Sequence, residues 1–180
     1  MRVSGGELRS RVIRAPQGSA VRPTPGRVKE ALFSIVGEQV DGARVLDLYA
    51  GSGAVGFEAL SRGASHATFV ELHAPTAHAI RTAAAELGVE RRTTVLCAPA
   101  EKAVTRLTGR FDLVYADPPY AAPPPHLTFS TLRTRGTIDA GTTLVYERRH
   151  DAAPFVSPGF GTVRDARYGE VMLQFLRVEP

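Results

Sequence analysis

Apolar positions along this chain follow two alternating rhythms. From residue 43 onward, short continuous apolar runs give way to segments whose apolar residues return every three or four positions. Ala43 to Tyr49 reads as a buried strand and Ala54 to Arg62 as a helix stopped by Gly63. Ala67 to Glu71 predicts a second strand, and Ala74 to Leu87 a helix ended by Gly88. A strand over Thr93 to Cys97, a helix over Ala100 to Leu107, a strand over Phe111 to Ala116, a helix over 125–135 and a strand over Thr142 to Glu147 continue the series. Repeated strand–helix units imply a mostly parallel sheet with helices on both faces. Right-handed crossovers make it an open, doubly wound, Rossmann-like α/β fold. The alternation breaks at the end. Gly161 to Arg167 and Val171 to Val178 flank Tyr168-Gly169-Glu170 with no helix between them, which predicts an antiparallel pair at the sheet edge and seven strands in all.

The first 24 residues follow neither rhythm. Arg2-Val3-Ser4 and Leu8 to Arg14 predict two short strands of a β-hairpin around Gly5-Gly6-Glu7. Pro16, Gly18, Pro23 and Pro25 then read as an irregular connector. A helix follows, with Thr24 as N-cap and Pro25 as its first residue. Val28, Leu32, Ile35 and Val36 form its apolar stripe, Arg27, Lys29 and Glu30 lie off it, and Gly37 stops it. The chain therefore divides into an arm over 1–24 and a main domain over 25–180.

Charge sharpens that division. The net charge is +4, yet residues 1–29 hold seven Arg or Lys against Glu7 alone, giving +6, so the remaining residues sum to −2. Either the cluster is a solvated surface or it is an electrostatic footprint for nucleic acid; Arg2, Arg9, Arg11, Arg14, Arg22 and Arg27, with Thr24, are the candidate contacts. Cys97 is the single cysteine, so neither an internal disulfide nor a thiolate zinc site is available. It is expected in the core at the end of a buried strand. One thiol fits a reducing cytoplasm, and neither a secretory segment nor an apolar run of roughly 20 residues is visible.

Candidate chemistry begins at the first strand. Val45 to Gly56 runs strand, glycine turn, helix, and Gly51, Gly53 and Gly56 satisfy G-x-G-x-x-G. Glycines let a backbone approach an adenosine-bearing cofactor closely, and Glu71 at the end of the next strand can accept from ribose hydroxyls. The pattern suits NAD or S-adenosylmethionine. Asp47 favours the second, since an acid there repels a pyrophosphate but suits an ammonium and a sulfonium. Tyr49, Ser52, Leu72, Pro99 and Ala100 complete the candidate cofactor set.

Asp117-Pro118-Pro119-Tyr120 directly follows the fourth strand, at the same sheet edge. Consecutive prolines fix the backbone, so the Pro118 carbonyl has one defined direction. The amino group of a nucleic-acid base is a poor nucleophile because its lone pair is delocalised into the ring. Two acceptors on its two N–H groups, the Asp117 carboxylate and the Pro118 carbonyl, would localise that pair toward a methyl donor. Tyr120 can stack on the base, an interaction worth roughly 1–3 kcal/mol in single-strand binders. Five prolines in Pro118 to Pro125 suggest a stiff wall beside the site or an inert loop.

With these residues the chain resembles the RsmD-type methyltransferases, a class I family dependent on S-adenosylmethionine. The resemblance covers nearly the whole length. It includes Arg22-Pro23-Thr24 followed by Arg27 to Phe33, Leu46 to Gly53, and Gly56 to Arg62. It implies that Gly51, Gly53 and Glu71 contact S-adenosylmethionine and that Asp117 to Tyr120 grip the target, the N2 amine of a guanine in 16S ribosomal RNA. It implies that the basic arm reaches over RNA in an assembled or nearly assembled small subunit. The family usually carries Asp or Asn after the third strand to accept from the adenine amine; here that position is Pro99, leaving backbone, Glu101 or water for the role. A cytoplasmic monomer with no metal and no membrane contact is expected.

Weaker signals stay open. The five histidines lack metal-ligand spacing and read as surface or loop residues. Arg148, Arg149 and His150 follow the fifth strand and are either phosphate contacts or a solvated cluster. Three rivals compete with the leading reading. A DNA amino-methyltransferase shares the tetrapeptide, a nicotinamide-dependent oxidoreductase shares the glycine fingerprint, and a non-catalytic RNA-binding module shares the basic arm.

Overall fold

A computed structural model describes residues 1–14, 26–119 and 122–180. The expected cap at Thr24 and Pro25, the Arg22 contact and Tyr120 lie outside them. The chain forms α1 (Gly26–Val36), β1 (Arg44–Leu48), α2 (Ala54–Ser61), β2 (His66–Glu71), α3 (Ala74–Leu87), β3 (Thr93–Cys97), α4 (Ala100–Ala103), β4 (Leu113–Ala116), α5 (His126–Thr134), β5 (Thr143–Arg149), β6 (Phe160–Tyr168) and β7 (Val171–Val178). One seven-stranded sheet runs β3-β2-β1-β4-β5-β7-β6. β1 to β5 are parallel, and β7 and β6 close the edge antiparallel. This is the Rossmann-like sheet that the alternating pattern predicts.

Strand alternation assigns the helices to faces. Leu46, Leu48 and Val114 point toward α4 and α5, packing with Ala103, Phe129 and Leu132. Val45, Tyr115 and Val145 point the other way, onto Val28 and Leu32 of α1 and Val55 of α2. Phe69 of β2 packs on the same side, with Phe57 of α2 and Ile80 of α3. α3 ends where Gly88 turns left-handed and its N–H reaches the Ala84 and Ala85 carbonyls.

α4 is shorter than its apolar spacing suggests. Thr105 Oγ1 donates to Lys102 O at 2.8 Å and Arg106 N–H to Ala103 O at 2.9 Å, so the expected helix tightens into turns after one round. Cys97 is exposed rather than core. β3 is the sheet's outer strand, and the order of strands, not the strand's own apolarity, decides that.

The N-terminal hairpin pairs residues 1–3 with 11–13, through one antiparallel bridge between Arg2 and Val12. Its turn is wider than Gly5-Gly6-Glu7. Val3, Leu8 and Ile13 join the core beside Phe57, Leu60 and Ala84. Gly6, at φ +77°, lets the turn lie directly against the Ser61 carbonyl, where a Cβ would not fit. Glu7 N–H donates to Ser61 O, Leu8 N–H to Ser61 Oγ, and Ser61 Oγ–H to Gly5 O.

A buried ion pair fastens the hairpin more deeply. Glu58, the single charge on α2, is fully buried and accepts from Lys29 Nζ at 2.6 Å and Arg62 Nε at 2.8 Å. It also accepts Ser4 N–H at 2.8 Å and Gly5 N–H at 2.9 Å, while Lys29 donates to Arg2 O at 2.8 Å. Burial opposes ionisation of Glu58, but these donors hold its carboxyl below the ordinary range. Lys29, off the apolar stripe in sequence, is thus 1% exposed because its charge has a partner inside.

Candidate active site

The sheet changes direction between β1 and β4: the chain leaves β1 toward β2 and β3, and leaves β4 toward β5. A crevice opens above the carboxyl ends of strands at such a point. Leu48 pairs with Ala116 in the register. Tyr49, opening the glycine loop, and Asp117, opening the tetrapeptide, therefore leave neighbouring strands at the same level.

The glycine loop is built for close approach. Gly51 and Gly53 take φ of +53° and +76°, the left-handed region that favours glycine. Gly56 serves a different purpose. A Cβ there would stand 2.6 Å from Phe69 Cζ, so its absence lets α2 lie flat on β2. Tyr49 sits at φ +59°, one of two non-glycine residues with positive φ among those described. Such a conformation costs of order 1–3 kcal/mol and is found where surrounding contacts enforce it. The Tyr49 hydroxyl reaches toward Glu101 Oε1 at 3.5 Å, and burial pushes its pKa up, reinforced by that carboxylate. Ser52 is half-buried, its hydroxyl 3.9 Å from Met1 Sδ of the hairpin.

Asp47 lies beneath the loop, 2% exposed, where its Oδ2 accepts Gly56 N–H at 2.9 Å. Burial pushes its carboxyl up to about 8; the Gly56 bond opposes the shift and Glu71 adds to it. At neutral pH the acid is mostly protonated, so its negative charge becomes available only when a cation approaches. Asp47 therefore opposes a pyrophosphate at this loop only once its carboxyl has ionised.

Glu71 ends β2 with both oxygens anchored by backbone donors, Gly51 N–H at 2.8 Å and His73 N–H at 2.8 Å. Each oxygen keeps acceptor capacity toward solvent. A fixed carboxylate one strand over from a glycine-rich loop fits an adenosine-bearing group, diol on Glu71 and backbone below. Leu72 beside it is 67% exposed, an apolar surface at the mouth of the site. Pro99 is half-buried and precedes α4, its carbonyl occupied by Lys102 and Ala103 N–H groups. Ala100 turns its methyl into the core, leaving backbone alone for any ligand.

Across the seam, Asp117 is half-buried, Pro118 buried and Pro119 exposed. The Pro119 carbonyl accepts Ala122 N–H at 2.7 Å, which turns the chain back toward α5. Beneath them, Tyr115 donates to Glu147, and both are buried. Burial, then Glu147 and Asp117, push the Tyr115 hydroxyl well above its ordinary range, so it remains a donor. Sequence reading passed over this pair; the one signal was a glutamate in the apolar run of β5.

Arg2, Arg9, Arg11, Arg14 and Arg27 are all exposed. Arg148 corrects both sequence readings of its cluster. It is buried, and its guanidinium holds the loop carbonyls of Arg149, His150 and Ala152. Arg149 pairs with Asp151 at 2.8 Å. Among the described residues no group of three or more His, Cys, Asp or Glu is placed to hold a metal ion, and no helix is long and apolar enough to cross a membrane.

A family model described as conserved hypothetical protein 95 matches residues 1–177. Ribosomal RNA small subunit methyltransferase D of Escherichia coli is 29% identical over 181 residues, spanning 99% of this chain and 90% of that protein. YlbH of Bacillus subtilis, whose name gives it as a candidate rRNA methyltransferase, is 39% identical over 124 residues, covering 67% of each chain. A solved Escherichia coli structure, named as a candidate methyltransferase, yhhF, superposes with a TM-score of 0.87 at 28% identity, covering 99% of this chain and 98% of that one.

Proposed function

The chain belongs to the RsmD family, and from that premise we propose that it methylates the exocyclic N2 amine of a guanine in 16S ribosomal RNA. The substrate is the small ribosomal subunit or a late assembly intermediate, and the product of the donor is S-adenosylhomocysteine. The reading is supported above all by one observation: the glycine loop and Asp117-Pro118-Pro119 leave paired strands at one level, from Leu48 and Ala116.

S-adenosylmethionine, when bound, supplies a methyl group on a positively charged sulfur. Glu71 would accept the ribose hydroxyls, Gly51, Ser52 and Gly53 would present backbone to the methionine part, and Leu72 would offer apolar surface to the adenine. Asp47 holds the loop through Gly56 and would gain its charge as a cationic group approached. Tyr49 and Ala100 line the pocket, and the Pro99 segment offers backbone beside the adenine amine.

On the other side, the Asp117 carboxylate and the Pro118 carbonyl each accept one N–H of the guanine amine, turning its lone pair toward the methyl carbon. Pro119 keeps the peptide rigid and Tyr120 stacks on the base. Transfer would form the N–C bond as the methyl–sulfur bond breaks, its electron pair going to sulfur. The surplus proton on nitrogen would pass to the Asp117 carboxylate, which already accepts that N–H. Alignment of two held reactants supplies much of the acceleration. The arm, residues 1–24, contributes Arg2, Arg9, Arg11, Arg14, Arg22 and Thr24 to RNA contact, and Arg27 joins them from α1. The enzyme acts in the cytoplasm as a monomer without a metal.

The test is methyl transfer from labelled S-adenosylmethionine to small ribosomal subunits and to duplex DNA, with the modified nucleotide mapped. Guanine N2 methylation of ribosomal RNA is expected, abolished in Asp117→Ala while S-adenosylmethionine still binds. Methylation of DNA alone, or unchanged turnover in Asp117→Ala, would overturn the reading.

A further inference from the structure

The arm's turn and the candidate active site lie at opposite ends of the sheet. Glu7, in the turn, pairs with Arg92 just before β3 begins, and its N–H reaches the last residue of α2. Arg11 donates to Glu86 O near the end of α3, at 2.7 Å. Helices in this fold run from the carboxyl edge of the sheet back to its amino edge, so Arg9 and Arg11 sit far from Asp117. RNA contact beside the target base needs other cations.

The geometry supplies two. β7 is antiparallel to β5 with Val171 opposite Arg149, so the β6–β7 turn rises at the carboxyl edge of β5. β5 in turn pairs Tyr146 with Ala116, the residue before Asp117. The first turn of α1 is at that edge too. A guanidinium nitrogen of Arg27 lies 3.0 Å from where a Cβ on Gly169 would stand. Arg167 Nε donates to the Gly169 carbonyl at 2.9 Å. Two arginines, one from α1 and one from β6, therefore flank a single exposed glycine held at φ +63°.

Both are exposed, and among the described residues neither makes an ion pair. Of the carboxylates at this end of β5 and β7, Asp151 is paired with Arg149. The exposed Glu170 lies 3.3 Å from His150 Nδ1, a contact that is an ion pair only when that imidazole is protonated, and forms no ion pair with Arg27 or Arg167. Glu30 on α1 and Asp165 on β6 are exposed and paired with neither arginine. Meanwhile the crevice itself carries Glu71, Glu101 and Asp117. A polyanion approaching those acids is repelled unless cations stand close by. Guanidinium forks suit phosphate oxygens in particular, because their planar donors match two oxygens at once.

We propose that Arg167 and Arg27 form a phosphate clamp for the RNA strand that carries the target base. The proposal rests on the ribosomal RNA reading above. The clamp sets the register of the strand at the crevice, while the arm's Arg9 and Arg11 contact RNA farther away.

The experiment measures methylation of small ribosomal subunits by the full chain, with KM followed across roughly 50–200 mM salt. The variants are Arg167→Gln, Arg27→Gln, the double variant and Arg167→Lys. Each neutral single variant is expected to raise KM several-fold, with the loss in KM rather than kcat. The slope of log KM against log salt should fall by about 0.7–0.9 per arginine removed. Arg167→Lys keeps the charge but not the Nε bond to Gly169, so it should restore most of the slope. Loss of slope in Arg167→Lys equal to that in Arg167→Gln, with a lowered melting temperature in both, would mean that the arginine only shapes the turn and would overturn the clamp. Wild-type methylation with an unchanged slope in the double variant would also overturn it, leaving the functional reading intact. No methylation of ribosomal RNA by the wild type would overturn that reading and the clamp together.

Discussion

Asp47→Asn removes the titratable group beneath the glycine loop and changes almost nothing else. Asparagine is nearly isosteric and keeps an oxygen to accept Gly56 N–H, the bond that Asp47 makes at 2.9 Å. In the folded chain burial pushes the Asp47 carboxyl from 3.8 up to about 8, against the Gly56 bond and with help from Glu71. Between those values the folded state keeps a proton that the unfolded state has lost. The contribution of Asp47 to stability is therefore greatest below pH 4 and declines as pH rises toward 8, by about 1.4 kcal/mol per pH unit. Over the roughly three units between its unfolded value and pH 7, the accumulated cost is about 4 kcal/mol. An asparagine at this position carries no such dependence. The stability of the variant relative to wild type should thus grow by about 1.4 kcal/mol per unit from about pH 5 to pH 8, then level off. Urea unfolding of both proteins at whole pH units across that range reads the difference directly. A difference that stays flat would mean that Asp47 is already ionised in the fold, and the account of the loop as neutral until a cation arrives would be wrong.

Three further outcomes follow from packing and pairing. Gly56→Ala should destabilise by about 1–3 kcal/mol in urea unfolding, because the added methyl meets the buried Phe69 ring; a net gain from alanine's better helix propensity would show that the ring can yield. Lys29→Met should cost about 3–5 kcal/mol, since Glu58 loses its buried cation, and limited trypsin digestion at Arg9 and Arg11 should quicken; unchanged cleavage would mean that the hairpin is held without the pair. Tyr115→Phe should cost about 1–3 kcal/mol by removing a donor from the buried Glu147, and equal unfolding midpoints would show that Glu147 is satisfied without it.

Much of this molecule could be read from residue patterns. α3, β3 and β7 begin and end where periodicity and glycine signals put them. The loop glycines are legible as a strand-to-helix turn, and the fold asks for them through the positive φ of Gly51 and Gly53 and the Phe69 ring against Gly56. What the pattern hides is pairing across the fold. Glu58 advertises itself as the one charge in an apolar helix, but nothing local says that its partners are Lys29, Arg62 and the amides of Ser4 and Gly5. Cys97 has the neighbours of a core residue and ends exposed because β3 turns out to be outermost. Arg148 has the composition of a phosphate contact and is spent on three carbonyls of its own loop. The direction of the basic hairpin, with its turn away from Asp117, depends on which helix surfaces accept Val3, Leu8 and Ile13.

The docking of that hairpin also fixes an order in time. Ser4 reaches across 54 positions to Glu58, and Glu7 across 85 to Arg92. During synthesis the first fourteen residues are made before the surfaces that hold them exist. They must stay unattached until α2 and α3 have been made and have packed on β2. Closing so long a loop comes late in folding, after local helices and neighbouring strands have formed. Residues 1–14 can therefore settle only after α2, α3 and Arg92 have been made, and a chain halted on the ribosome before β3 would carry them loose.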